Sequence, residues 1–134
     1  MNRTLLIIKP DVTERNLVGH VVSRLERARF RIVAMRLTRL SETDARRFYA
    51  VHEGKPFLSD LVRFMASGPC VPMVVEKENA VEDIRTLIGA TDPAKAACGT
   101  VRNEIGRDIQ MNSVHASDSD ANAVKEIAFF FPEL

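Results

Sequence analysis

The segment Asn112-Ser113-Val114-His115-Ala116-Ser117-Asp118-Ser119 sets a histidine between an apolar run and a cluster of helix-capping residues. An imidazole with an ordinary pKa of about 6.5 is largely neutral at cell pH and attacks an electrophilic phosphorus without a separate base. The pattern predicts His115 just past a strand and at the start of a helix. The Ser-Asp-Ser that follows supplies the N-cap, so that unpaired backbone N–H groups and the positive helix end lie near an arriving phosphate. Asn112 and His115 are three apart and would project to opposite faces of a regular strand. Both enter one pocket only if the strand ends or turns before His115.

The elements that must carry this segment are legible as periodic patterns. Leu5 to Ile8 is a continuous apolar run ended by Pro10, as in a strand buried on both faces, which leaves Lys9 at the strand exit. Val18, Val21, Val22, Leu25 and Ala28 form one helical stripe, and Leu58, Leu61, Val62 and Met65 form another that ends at Ser67-Gly68-Pro69. Phe30 to Leu40 reads as a second strand and Cys70 to Val75 as a third, whose Pro72 predicts irregular pairing or a place at the sheet margin. Ser41-Glu42-Thr43-Asp44 resembles a capping box before a short helix that puts Ala45, Phe48, Tyr49 and His52 on one face. Asn79 reads as the N-cap of a helix through Val81, Ile84, Leu87 and Ile88, stopping at Gly89, with Arg85 at its edge. Residues 89 to 100 are small and turn-prone, a loop long enough to suspect of function. Ile109 to Val114 reads as a fourth strand, and Ala121, Val124, Ile127 and Ala128 mark the last helix.

This order of elements predicts an α+β fold, a ferredoxin-like βαββαβ sandwich. Parallel neighbours are joined by helices around an antiparallel central pair, with the helices on one face of a four-stranded antiparallel sheet. The chain has 134 residues, of which 28% are charged and 46% apolar, the size and composition of one globular domain able to bury its own core. The net charge of +1 gives no broad footprint for nucleic acid, which is not expected as a primary ligand. Cys70 and Cys98 form no CxxC and read as two reduced thiols. The N-terminal run is too short for a signal peptide or a membrane span, which makes the cytoplasm the expected compartment.

Lys9-Pro10-Asp11, Arg85, the Thr91-Asp92-Pro93 turn, Gly99-Thr100-Val101-Arg102 and Asn112-x-x-His115-Ala-Ser-Asp-Ser, in this order, resemble the motifs of the nucleoside diphosphate kinase family. Pro56-Phe57, Ser67-Gly68-Pro69 and the stretches from Arg15 to Gly19 and Phe30 to Met35 extend the likeness over the whole of 1–134 as a single domain. The resemblance implies a ping-pong cycle in which a phosphoryl group moves from ATP or another nucleoside triphosphate to His115 and then to a nucleoside diphosphate. It assigns Lys9, Tyr49, Arg85, Thr91 and Arg102 to phosphate or sugar contacts, Asn112 to the sugar hydroxyl and Phe57 to stacking on the base. Such a platform reads any π-face, so one preferred base is not expected. Glu126 matches the position that orients the histidine, and Ser117 is expected to support Glu126 while also capping the helix. Mg2+ is expected to arrive with the nucleotide, bridging phosphates, since the motif set contains neither a carboxylate cage nor a P-loop. The resemblance also implies a homo-oligomer, a dimer at minimum.

Three departures from the family pattern stand out. Ala116 and Asn16 replace usual glycines, and Asn103-Glu104 stands where Gly-Asp is common. Alanine at 116 is nearly silent unless that position needs φ > 0, and asparagine tolerates such a geometry. Residue by residue, bland readings exist: Tyr49 and Phe57 as core aromatics, His20 and His52 as surface or core groups outside the site. A ferredoxin-like binding module that has lost catalysis is the alternative at the level of function. The retained set of Lys9, Arg85, Arg102, Asn112, His115 and Glu126 argues against it, because such a module has no chemical need for those residues.

Overall fold

Leu5 to Ile8 offers no polar side chain to water. In the structure, a computed structural model describing residues 2–134, it forms the C-terminal half of strand β1 (Asn2–Ile8), buried on both faces. Alternate side chains go to opposite faces of a strand, and here they divide the core in two. Leu6 and Ile8 pack with Met73, Val75, Val114 and the helical residues Val21, Leu25, Ile84 and Ile88. Leu5 and Ile7 pack with Tyr49, Val62, Met65, Val74 and Phe130. Each fully buried aliphatic of this kind stabilises the fold by about 1.5–3 kcal/mol.

The other strands are β2 (Arg31–Met35), β3 (Val71–Lys77) and β4 (Val114–Ala116), in the sheet order β2-β3-β1-β4. Every neighbouring pair is antiparallel. The ferredoxin-like class and the four-stranded antiparallel sheet are therefore as expected, but no neighbours are parallel, because β3 inserts between the parallel strands β1 and β2. Nor are the helices on one face. α2 (Val18–Arg27) and α5 (Ala80–Ile88) cover one side, while α3 (Glu42–Phe48), α4 (Leu58–Ala66) and α7 (Asp120–Phe130) contribute to the core on the other. A β1 without a polar face requires cover on both.

Local chemistry explains most boundaries. Ser41 accepts from the Asp44 N–H at the start of α3, and Ser119 accepts from the Asn122 N–H at the start of α7. Gly89 ends α5 at φ +89, where an added Cβ would come within 2.5 Å of Thr100 Oγ1. Asn79 occupies the N-cap of α5 in a left-handed conformation without a side-chain cap. Asn16 is also left-handed, at φ +58, and Ala116 is not among the positive-φ residues, so the alanine after His115 carries no left-handed strain.

Several expected boundaries move. The second strand stops at Met35 and continues only as an isolated bridge, Thr38 to Cys70. Pro72 is not at the margin, since β3 lies between β1 and β2. Its carbonyl accepts from the Arg36 N–H beyond the end of β2, so its missing N–H deprives no residue of regular β2 of a partner. The pairing irregularity falls instead between Ile32 and Ala34. Two five-residue helices lie where no element was expected, α1 (Pro10–Glu14), with proline in its first turn, and α6 (Val101–Ile105), capped by Thr100. On α7, Ile127 packs on the core as expected, but Val124 is 70% exposed, and Ala123 and Phe130 turn inward in its place.

Candidate active site

The fourth strand is shorter and later than expected, and the change matters for chemistry. His115 lies inside β4, opposite Ile7, rather than past its end, and α7 begins only at Asp120. Opposed residues of an antiparallel pair share a face. His115 thus emerges on the side of Ile7, where the rings of Phe48 and Tyr49 meet it edge-on at centroid distances of 5.3 and 5.9 Å. The turn that lets Asn112 enter the same region is at Ser113, φ +79, two residues before the histidine.

One end of the imidazole is already committed. His115 Nε2 lies 2.9 Å from Glu126 Oε1, and the same oxygen accepts from Ser117 Oγ at 2.6 Å. With the carboxylate as acceptor, the ring proton belongs on Nε2 and the lone pair on Nδ1. Ser117 supports Glu126 as expected but does not cap the helix: its N–H donates to the Leu5 carbonyl, and Ser119 is the cap.

Before the start of β4, a buried polar network surrounds Asn112. Lys9 Nζ donates to Asn112 Oδ1 at 2.8 Å, and Asn112 Nδ2 donates to the Thr91 carbonyl at 2.9 Å. Arg102 donates from Nε to the Asn112 carbonyl, from Nη1 to the Gly89 carbonyl and from Nη2 to the Val114 carbonyl, at 3.2, 3.0 and 2.7 Å. Three of its five N–H groups therefore clamp loop and strand together, and two remain for a ligand. Burial and then the Arg102 charge lower the Lys9 pKa to about 8, while Asp11 and Asp108 pull it back up. Burial, with the Arg85 charge, lowers that of Arg102 to about 10.

The remaining expected residues form the rim. Arg85 is exposed, and its charge, after a hydrogen bond from Asn122, helps hold the Asp118 carboxyl below its ordinary range. Thr91 is exposed beside its bonded carbonyl, and Phe57 is 46% exposed. A run of rings joins Phe57 to the histidine: Phe57 to His52 at 5.2 Å, His52 to Tyr49 at 6.2 Å, then Tyr49 to His115. Tyr49 is buried, its hydroxyl has no partner, and burial with the nearby Glu126 charge pushes its pKa up, so it stays a neutral donor. The residues that the sequence reading missed are Asp11, Ser113, Phe48 and His52. Asp11 stood in a quoted motif and Phe48 on a quoted stripe. Nothing in the sequence marks Ser113 as left-handed.

A histidine with one nitrogen held by a carboxylate, on a ferredoxin-like sheet whose neighbouring loop is held by buried cations, is an arrangement suited to phosphoryl transfer. Residues 2–134 match the family model described as nucleoside diphosphate kinase. A nucleoside diphosphate kinase of Chlorobaculum parvum is 60% identical over 98% of this chain and 94% of its own length, and one of Salinibacter ruber is 54% identical over 98% and 92%. The solved nucleoside diphosphate kinase of Aquifex aeolicus superposes with a TM-score of 0.94 at 41% identity, covering 97% of this chain and 94% of that one. That of Halobacterium salinarum, in complex with CDP, gives 0.94 at 42% identity over 97% and 87%. The chain belongs to the nucleoside diphosphate kinase family and is a nucleotide-binding phosphotransferase. Among the described residues, no helix is long and apolar enough to cross a membrane.

Proposed function

We propose that this chain, as a single domain over 1–134, transfers the γ-phosphoryl group of a nucleoside triphosphate to His115 Nδ1 and from there to a nucleoside diphosphate. In the first half-reaction the Nδ1–P bond forms as the bond from the γ-phosphorus to the β-bridging oxygen breaks, and the diphosphate leaves. In the second the acceptor's terminal oxygen attacks the same phosphorus and restores neutral histidine. The observation that carries this reading is the His115–Glu126 bond at 2.9 Å, which occupies Nε2 and leaves Nδ1 as the only nucleophilic nitrogen. As the ring gains positive charge, the Glu126 carboxylate stabilises the Nε2–H, and Ser117 keeps that carboxylate in place.

Phosphoryl transfer asks the protein for position and charge neutralisation more than for acid–base work. Lys9 and the two free N–H groups of Arg102 meet the phosphates from the buried side, Arg85 and Thr91 from the rim, and Tyr49 donates its unpartnered hydroxyl. Asn112, held by Lys9 and Thr91, meets the sugar hydroxyl, and Phe57 stacks on the base. The halophilic relative solved with CDP supports a cleft that accepts pyrimidine as well as purine nucleotides. Among the described residues no group of three His, Cys, Asp or Glu could hold a metal ion, and the site's charged ligands to phosphate are cations. This donor set fits Mg2+ carried on the nucleotide phosphates, where it neutralises their charge. A homo-oligomer, at least a dimer, in the cytoplasm completes the reading.

The test is incubation with γ-labelled ATP and magnesium followed by acid and base treatment, then chase with GDP. An acid-labile, base-stable label that GDP removes, absent from His115→Gln, is the expected result. A His115→Gln protein that still passes label to GDP overturns it.

A further inference from the structure

Asn112 and His115 reach one cleft only because Ser113 between them adopts φ +79, a conformation that side chains other than those of Gly, Asn and Asp rarely take. Ser113 is fully buried and its own hydroxyl has no partner, so the serine side chain does not hold the turn. Its backbone is held from both sides by one short segment: the N–H donates to Asp11 Oδ2 at 3.2 Å, and the carbonyl accepts from the Lys9 N–H at 3.0 Å. Asp11 is 1% exposed, and a carboxylate buried to that degree is costly unless its bonds are needed. It is anchored in turn by Arg15, whose Nη2 lies 3.6 Å from Oδ2 and also donates to the Ile105 carbonyl at the end of α6, the helix that carries Arg102.

We propose that Asp11 is a positioning residue for phosphoryl transfer: its carboxylate holds Ser113 left-handed and so fixes the distance between the nucleotide-binding Asn112 and the nucleophile His115. The assignment rests on the phosphohistidine mechanism proposed above. Asn112 has its own tethers in Lys9, Thr91 and Arg102, and His115 has Glu126 and the pairing with Ile7. Ser113 is the joint between two independently held pieces, and Asp11 is the side chain that sets the joint. A small misplacement of a nucleophile costs far more in rate than in affinity.

The test is single-turnover phosphorylation by ATP in the presence of magnesium, with ADP binding measured alongside, for wild type, Asp11→Ala and Asp11→Asn, each also on a Ser113→Gly background. Asp11→Ala is expected to slow phosphoenzyme formation by about tenfold or more while ADP affinity moves by less than about threefold. Asp11→Asn keeps an oxygen for the Ser113 N–H and loses less. Glycine takes φ +79 without steric cost, so on the Ser113→Gly background the Asp11→Ala penalty shrinks to about threefold or below. An equal penalty on both backgrounds, or a loss of ADP affinity matching the loss of rate, overturns the positioning role. If Asp11→Ala does not fold, Asp11→Asn on the two backgrounds decides by the same coupling. A wild-type protein that forms no acid-labile phosphoprotein sinks the proposed function itself, whereas labelling without coupling sinks only this assignment.

Discussion

The buried and exposed parts of the candidate site are built differently. Around Lys9, Asn112 and Arg102, donors and acceptors are buried and bonded to one another, the loop before β4 is clamped to Gly89 and Thr91, and the histidine ring is fixed by Glu126. Around Phe57 and Arg85 the side chains are exposed, and the contacts of Phe57 are with the His52 ring and with Lys55, whose Nζ lies 5.8 Å from the ring centre. The first fits a charge distribution that every nucleoside triphosphate shares, and preorganised dipoles there need no rearrangement as the phosphoryl group moves. On the proposed assignment the second meets the part of the substrate that varies, with a surface that asks only for a flat ring. Rigidity then follows the invariant part of the substrate.

If that contrast holds, substitutions in the buried part should damage chemistry and folding, and those in the exposed part only binding. The largest effect is expected from Lys9→Met, which removes a buried cation and leaves Asn112 Oδ1 without its donor; kcat/KM should fall by about a thousandfold in a coupled assay. Arg102→Ala comes next. It strips three backbone carbonyls of their donor, and urea denaturation should show a loss of about 3 kcal/mol or more, against less than about 0.5 kcal/mol for Phe57→Ala. Equal destabilisation by the two would erase the contrast. Phe57→Ala should raise KM by about tenfold, and by similar factors for ADP, GDP and CDP, with kcat little changed. A rise confined to one base would mean that the rim reads sequence after all.

The smallest effect is one of pH. Lys9 in the folded protein releases its proton near 8, well before the ordinary 10.5 of the unfolded chain. Between those values the unfolded state binds more protons, so Lys9 makes the nucleotide-free protein gain stability as pH rises through that window, even as it loses the charge that draws phosphate. kcat/KM should therefore fall on a basic limb starting near pH 8, a limb that Lys9→Arg moves upward. A basic limb that stays in place in Lys9→Arg would assign it to another group.

The sequence carried the fold through its long periodic segments. The stripes of α2, α4 and α5 and the apolar run of β1 were readable because each spans enough turns or alternations to distinguish period 3.6 from period 2. Helices α1 and α6 were not, since five residues hold too few apolar positions for a period. A helix layer on one face alone conflicts with the unbroken Leu5–Ile8 run, which demands cover on two faces. At the site, residue types were legible and roles only in part. Lys9 bonds Asn112 and His115 bonds Glu126, yet Arg102 spends most of its donors on the protein's own backbone. β4 starts later than the apolar positions from Ile109 suggest because Asp108 Oδ1 accepts from the Gln110 and Met111 N–H groups and holds that stretch as a turn, which the left-handed Ser113 then separates from the strand.

The central claim is that Glu126 assigns the two nitrogens of His115 their separate tasks, and the most direct measurement is the identity of the phosphorylated ring atom. The wild-type protein, labelled by ATP in the presence of magnesium and studied by 31P and 15N NMR at alkaline pH, should carry its phosphoryl group on Nδ1 of His115. Phosphorus found on Nε2, or on a residue other than His115, would contradict the account.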